Sequence, residues 1–450
     1  MIGFRAVRAL IALAFLAATV PLAGQASAEG IPQPVELPQQ LSLEQSVQIL
    51  RSKSLDLLMA EAAVHSAEGD VGIAGAVPNP AINAGYGRAL NYSSGPPFCS
   101  VPGTCDANQY TVGISDQAAI EDSLSGKRDL RLRVANRALA AARMSRTDAL
   151  RIIEFQVKSA YAQVAQAQRA VAFSKDVQAT NVKTLELFQA RMRSGAINEG
   201  DLARIETQKL GADQAVDQAG ESLRQARVAL AFLLGVRGPV NDFTVDEHTL
   251  DFSVPPQIAG VDEDRFLRMA LDHRPDLLAQ GYQRASAEAA IALARRQRFP
   301  DIALSAQYTQ TGSGQSAIQP PTLSFGITAP IPIFYQQQGE IRKAEANYDT
   351  QSLQQAKTTA QVVSDVGAAM SAFSTARGLV ERMERQLRPA AERAFQITRL
   401  QFDKGAATLM DFLDAQRTYI GINVEYLQEL AGYWTAVFQL EAAVGVELRQ

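Results

Sequence analysis

The chain has 450 residues, 43 of them basic and 47 acidic, with a formal net charge of −4. That mild acidity gives no support to nucleic-acid binding. The two cysteines, with no histidine nearby, fall short of a usual zinc set.

Arg5 and Arg8 precede the apolar run from Ala9 to Val20, which Pro21 and Gly24 break before Ala26-Ser27-Ala28. Basic start, apolar middle and small-residue cleavage pattern predict a secretory signal peptide over residues 1–28. The run is too short to span a bilayer comfortably. Loss of Arg5 and Arg8 with it makes the mature chain more acidic still. No later segment is long and apolar enough for a transmembrane helix, so the mature protein is either soluble outside the cytoplasm or inserted some other way. Residues 29–41 form an extended N-terminal segment.

The first structural unit is predicted over 42–236. Ser42 and Gln45 have the spacing of a capping box, and a helical pattern follows to about Ala76, where Val77-Pro-Asn-Pro80 stops it. Ile82, Ala84 and Tyr86 then alternate within a strand at about 81–92. A second strand is predicted at about 108–118, from the alternation of Gln109 to Ile114. About ten residues is the span of a tilted membrane strand. The polar loop between them holds Cys99 and Cys105, for which an oxidising compartment predicts a local disulfide.

A helix of about 70 residues follows, from Gly126 to Arg193, roughly 100 Å at 1.5 Å per residue. Its apolar positions, among them Leu150, Ile153, Val157, Ala160 and Val164, step three and four residues at a time. That period calls for supercoiling against partner helices. Gly195 ends the helix and a returning helix runs from Asp201 to Leu234. Residues 237–260 link to the next unit, with turn signals at Gly238-Pro239 and Pro255-Pro256.

The second unit, 261–446, repeats the first. Ser54-Leu-Asp-Leu-Leu58 returns as Arg274-Pro-Asp-Leu-Leu278, and Pro80 as Pro300, 220 residues later. Gly195, Asp201, Leu230 and Gly235 return as Gly405, Asp411, Leu440 and Gly445 at an offset of 210. Fixed order and steady offset mark a tandem duplication. Strands are predicted at about 301–311 and 321–331, with Gly312-x-Gly314 a hairpin turn and no phosphate loop. A second long helix follows, in which Pro389 is expected to cause a kink or a lost hydrogen bond. Asp411 begins the helix that returns to Val444, and residues 447–450 are a tail.

The fold expected is mainly α with a small β part: two tandem repeats of helix, β-hairpin and long helical hairpin. Four membrane-type strands cannot close a barrel, and an open sheet edge in lipid leaves backbone groups unsatisfied. Several chains sharing one barrel would remedy this, their long helices packing as a cylinder below it.

Over nearly its whole mature length the chain resembles the TolC-like outer-membrane efflux proteins, and within them the CzcC-type branch that serves heavy-metal exporters. The residues carrying the resemblance are Val77-Pro-Asn-Pro80, Arg274-Pro-Asp276, Phe299-Pro-Asp301, Pro330-Ile-Pro-Ile-Phe334 with Gln338-Gly-Glu-Ile341, and Leu409-Met-Asp-Phe-Leu-Asp-Ala-Gln416. The resemblance implies a homotrimer with a twelve-stranded barrel in the outer-membrane lipid of a Gram-negative bacterium and a periplasmic helical barrel. It also implies a periplasmic adaptor and an inner-membrane, proton-driven RND pump as partners. The Cys99–Cys105 loop departs from the branch pattern.

By the same analogy the periplasmic tips lie at Ser194–Asp201 and Lys404–Asp411, with Gly195, Asp201, Gly405 and Asp411 as adaptor contacts. Asp411 and Asp414 are candidates for a carboxylate ring at the aperture; capping of the returning helix is the plainer role for Asp411. His65, His248 and His273 are scattered without ligand spacing. Ion pairing with Arg342 and Lys343 accounts for Glu340 and Glu345. No nucleophile–base set and no cofactor loop are present, so no enzyme, cofactor or resident metal is expected. The functions in play are a metal-efflux duct, a drug or type I secretion duct on the same fold, and a non-channel periplasmic scaffold. The strand hairpins argue against the last.

Overall fold

The computed structural model describes residues 35–88, 90, 108–195, 197–260, 262–312 and 319–448. The signal peptide, Cys99, Cys105 and Gly314 lie outside the described residues.

The elements run β1 (Gln40–Leu41), α1 (Leu43–Lys53), α2 (Leu55–Gly75), β2 (Ala81–Arg88), β3 (Asn108–Ser115), α3 (Ala119–Leu124), α4 (Lys127–Arg193) and α5 (Glu199–Leu233). There follow β4 (Thr244–Val245), a 3-10 turn (Glu247–Leu250), α6 (Glu263–His273), α7 (Pro275–Arg296), β5 (Ala303–Thr311) and β6 (Gln319–Thr328). The chain ends with α8 (Gln338–Arg382), a π turn (Met383–Leu387), α9 (Arg388–Asp403) and α10 (Leu409–Val444). The protein is mainly helical, with α4 alone reaching 67 residues. It divides into two compact units, one from the described parts of Ala67–Leu139 and Gln283–Ser352, the other from the rest.

The first unit holds a four-stranded antiparallel sheet in the order β2-β3-β5-β6. Two strands stop short of their sequence-based ends for local reasons. Gln117 and Ala118 take left-handed φ values of 51° and 64°, turning the chain after β3. Beyond β6, Pro330 and Pro332 have no N–H to give to a ladder.

The second unit is a layer of helices about a long apolar core that includes Val157, Tyr161, Leu230, Val366, Phe373, Tyr433 and Phe438. Toward the helix turns a separate, smaller cluster forms from Phe188, Ile205, Phe395, Phe412 and Leu413. Polar side chains lie between: buried Gln416 donates to Asn181 Oδ1 at 2.9 Å and accepts from Gln208 at 3.1 Å. The extended segment and the linker meet here, β1 pairing in parallel with β4. Tyr161 donates to both Leu41 O and Asp246 O at 3.1 Å. Trp434 Nε1 and Tyr433 Oη each donate to a linker carbonyl, those of Leu250 and Ser253, at 2.7 Å.

Duplication is visible in the backbone. The helical pattern predicted to run unbroken from Ser42 breaks at Ser54, at φ −62° and ψ 128°. Its counterpart Arg274, held extended by the following proline, has φ −64° and ψ 121°. Gly195 and Gly405 have φ of 74° and 75°, and Gly235 and Gly445 of 84° and 78°. At Gly235 the close approach is strict: a Cβ there would lie 2.8 Å from Lys53 O. At Pro389 the regular α-helical bonding is interrupted locally. The π turn before it absorbs the missing donor, with Arg388 N–H bonding back five residues to Met383 O.

Candidate functional site

The sheet is two-sided in a way its sequence dictates. Alternate residues point to opposite faces, and the register keeps like with like across strands. One face carries Ile82, Ile114, Ala306 and Phe325 in one row and Ala84, Val112, Tyr308 and Leu323 in the next. Phe325 is 79% exposed and Ile82 65% exposed. Tyr86 and Tyr110 pair across β2 and β3 at 5.5 Å between ring centres. The opposite face carries Asn83, Gly113, Gln307 and Ser324, then Gly85, Thr111, Thr309 and Thr322. β2 and β6 are paired on one side only, so each presents an open edge. An apolar face without cover, a polar face opposite and two open edges describe a piece of a membrane barrel wall.

Basic side chains at the start of α4 fasten the base of this sheet to its neighbouring helices. Lys127 Nζ lies 2.6 Å from Asp301 Oδ1 and donates to Phe299 O at 2.9 Å. Arg131 forks onto Asp122 at 2.6 and 2.8 Å, and Arg128 donates to Gly75 O at 2.7 Å. The Arg131 hydrogen bond holds the Asp122 carboxyl below its ordinary 3.8. Sequence reasoning passed over these residues. Their signal was a cluster of cations at a helix N-terminus, where the macrodipole disfavours them unless tertiary partners compensate.

The helix turns of the second unit hold the remaining candidates. Gly405 closes α9 with Ala406 N–H bonding Gln401 O at 2.8 Å and Gly405 N–H bonding Phe402 O at 3.0 Å. Asp411 is not itself the N-cap of α10. Thr408 is, and Asp411 completes a capping box by accepting from Thr408 N–H at 2.9 Å while its own N–H donates to Thr408 Oγ1 at 3.2 Å. Hydrogen bonds from the Thr408 hydroxyl and N–H hold the Asp411 carboxyl below 3.8. At α5 Asn198 is the N-cap, accepting from Asp201 N–H at 2.8 Å and donating its Nδ2 to Asp201 Oδ2 at 2.9 Å, without the reciprocal backbone bond. Asp414 is exposed and lines a groove of about 470 Å³ between α5 and α10, with Arg204, Thr207, Met410 and Arg417.

Among the described residues no three His, Cys, Asp or Glu side chains converge as metal ligands. His248 sits 3.3 Å from Asp251 and His273 3.0 Å from Met269 O, each in a separate local contact. Among the described residues no helix is long and apolar enough to cross a membrane.

The family model for outer membrane efflux proteins matches residues 47–236 and 266–446. The cobalt-zinc-cadmium resistance protein CzcC of Cupriavidus metallidurans is 23% identical over 408 residues, which is 90% of either chain. The pyoverdine export outer membrane protein OpmQ of Pseudomonas aeruginosa is 27% identical over 414 residues, 87% of this chain and 81% of that one. Among solved structures, CusC superposes with a TM-score of 0.73 at 18% identity, over 94% of this chain and 99% of its own. Neisseria gonorrhoeae MtrE, solved as an open outer membrane channel, superposes with a TM-score of 0.71 at 20% identity, over 90% and 89% of the two chains. With its two matched halves and its shared architecture, the chain belongs to the outer membrane efflux protein family, whose members are channels and not enzymes.

Proposed function

We propose that three copies of this chain close one twelve-stranded barrel and serve as the passive exit duct of a three-part export assembly for heavy-metal cations. One observation carries the reading: the sheet exposes an apolar face, turns a polar face the other way and leaves β2 and β6 open. Lipid cannot satisfy an open edge, and four strands are too few to close. Pairing β2 of one copy with β6 of the next satisfies both edges at once. The trimer follows the plan of the family that the chain resembles.

A periplasmic adaptor would seat on the helix turns, with Gly195, Asp201, Gly405 and Asp411 shaping the surface and the α5–α10 groove beside it. Asp411 and Asp414 are the carboxylates placed to line a closed aperture. An RND pump in the inner membrane would supply both energy and selectivity, the metal ion being cargo. Metal as cargo is supported by the match to the cobalt-zinc-cadmium resistance protein over 90% of both chains. A second cargo, a pyoverdine-like compound, is favoured by the 27% identity to the pyoverdine exporter.

The test is a deletion strain challenged with cobalt, zinc and cadmium salts and complemented with the wild-type chain or Phe325→Arg. Lost tolerance restored by the wild type supports the metal duct. Unchanged tolerance with lost pyoverdine secretion supports the second cargo. Phe325→Arg places a cation on the lipid face, a change whose cost reaches about 2–4 kcal/mol at the midplane, and should not complement. A monomeric, non-conducting protein in native lipid extracts overturns the barrel.

A further inference from the structure

We infer that the membrane-crossing wall of the duct does not sort solutes by charge, so that hydrated solutes of either sign pass it alike. Metal ions carried as neutral or anionic complexes fall in this class along with free cations. The inference rests on the duct reading above and names the substrate class of its barrel section.

The polar face of the sheet is made of carboxamides, hydroxyls and glycines, with Ala81 and Ala303 at its base. The row Asn83–Gly113–Gln307–Ser324 crosses all four strands without an ionisable group. The row beside it is Gly85–Thr111–Thr309–Thr322. From Ala303 to Thr328 the sequence has no Asp, Glu, Lys, Arg or His. Among the described strand residues the one charge is Arg88, at the end of β2 and in register with the apolar face through Tyr86. It stands five residues from the Asn83 row, roughly 17 Å along the strand. That exceeds the Debye length of about 8 Å at physiological salt.

Two of the hydroxyls also lie back on the wall. Thr111 Oγ1 donates to Gly85 O at 3.3 Å, and Ser305 Oγ donates to Gly326 O at 3.4 Å. Each occupies the space of the facing glycine: a Cβ on Gly85 would lie 2.5 Å from Thr111 Oγ1, and one on Gly326 2.8 Å from Ser305 Oγ. Pores that filter by charge do so with rings of ionised side chains. Hydroxyls and carboxamides offer donors and acceptors alike, and can turn either toward a passing ion's water.

The experiment places Gln307→Cys in a Cys99→Ser, Cys105→Ser background and labels intact outer membranes with a cationic and an anionic methanethiosulfonate reagent of similar size. Both reagents should modify it, with a rate ratio within about threefold of that for a free thiol, since a charged cleft raises local counter-ion concentration by tenfold or more. A larger bias toward either reagent overturns the inference and leaves the duct standing. Leu323→Cys, on the opposite face, should react with neither reagent. Labelled Leu323→Cys or inert Gln307→Cys removes the duct reading itself. Ser324→Cys, on the same row, replaces Gln307→Cys if that variant fails to reach the membrane.

Discussion

Lys158 of α4 and Glu441 of α10 form a 2.9 Å ion pair across 283 residues of sequence, their side chains only 9% and 5% exposed. Glu441 also accepts from Leu448 N–H at 3.3 Å, which ties the chain end to the same point. Nearby, Arg274 forks onto Asp276, reaches Asp365 at 2.9 Å and donates to Ala443 O at 3.4 Å. Cations gathered at the last turn of α10 suit its negative dipole end.

Removing one partner of a buried pair leaves the other charge without its counter-ion. Lys158→Ala should destabilise the second unit by about 3–5 kcal/mol, whereas the double variant Lys158→Met, Glu441→Leu should recover most of that loss. Chemical unfolding in detergent checks both. A loss below about 1 kcal/mol in the single variant would mean that water reaches the pair.

Trp434→Phe keeps the ring in the core and deletes only the bond to Leu250 O. The expected cost is about 1–2 kcal/mol, because a buried carbonyl loses its donor. Limited proteolysis should then cut first within 246–255, the stretch that Trp434 and Tyr433 hold. Cleavage elsewhere would detach these aromatics from the ordering of the linker.

Alkaline titration gives a signed prediction. Burial pushes Tyr161 and Tyr433 each up to about 12 from 10.0. A raised folded value means the native state keeps protons that the unfolded chain releases. The stabilisation is complete below pH 10 and is lost as pH rises through 12. Tyrosinate absorbance should therefore show late-ionising groups, Tyr161 and Tyr433 among them, whose appearance coincides with loss of helix. Ionisation of all eleven tyrosines before unfolding would contradict it.

Gly405 has φ 75° and nothing within 4 Å of where a Cβ would stand, so a side chain there costs backbone strain and makes no clash. Gly405→Leu should lower stability by about 1–2 kcal/mol, reshape the turn and impair export while membrane insertion persists. Normal export would remove the turn from the docking mechanism.

Cys99 and Cys105 are expected to be joined. Thiol labelling of unreduced, denatured protein should find no free sulfhydryl, and labelling of both would refute the bond.

The mainly helical class and its small sheet were legible because each is written as a period. Apolar steps of three and four mark α4, and alternation marks β2, β3, β5 and β6. What escaped has no period. Strands β1 and β4 are two residues long and pair in parallel across the whole first repeat, so no local pattern announces them. The break at Ser54 has no proline to signal it, unlike its counterpart at Arg274. The π turn before Pro389 is a tertiary accommodation, and the sequence alone shows only the proline. At the sheet base, Lys127 and Arg131 were visible as cations, but their carboxylate partners come from other elements.

The open margins of β2 and β6 have a consequence for biogenesis. A newly exported copy enters the periplasm with two adhesive flanks and a greasy wall, and it cannot hide either by folding alone. On the shared barrel proposed above, maturation is a reaction of high molecular order, steeply dependent on concentration and in competition with indiscriminate strand pairing.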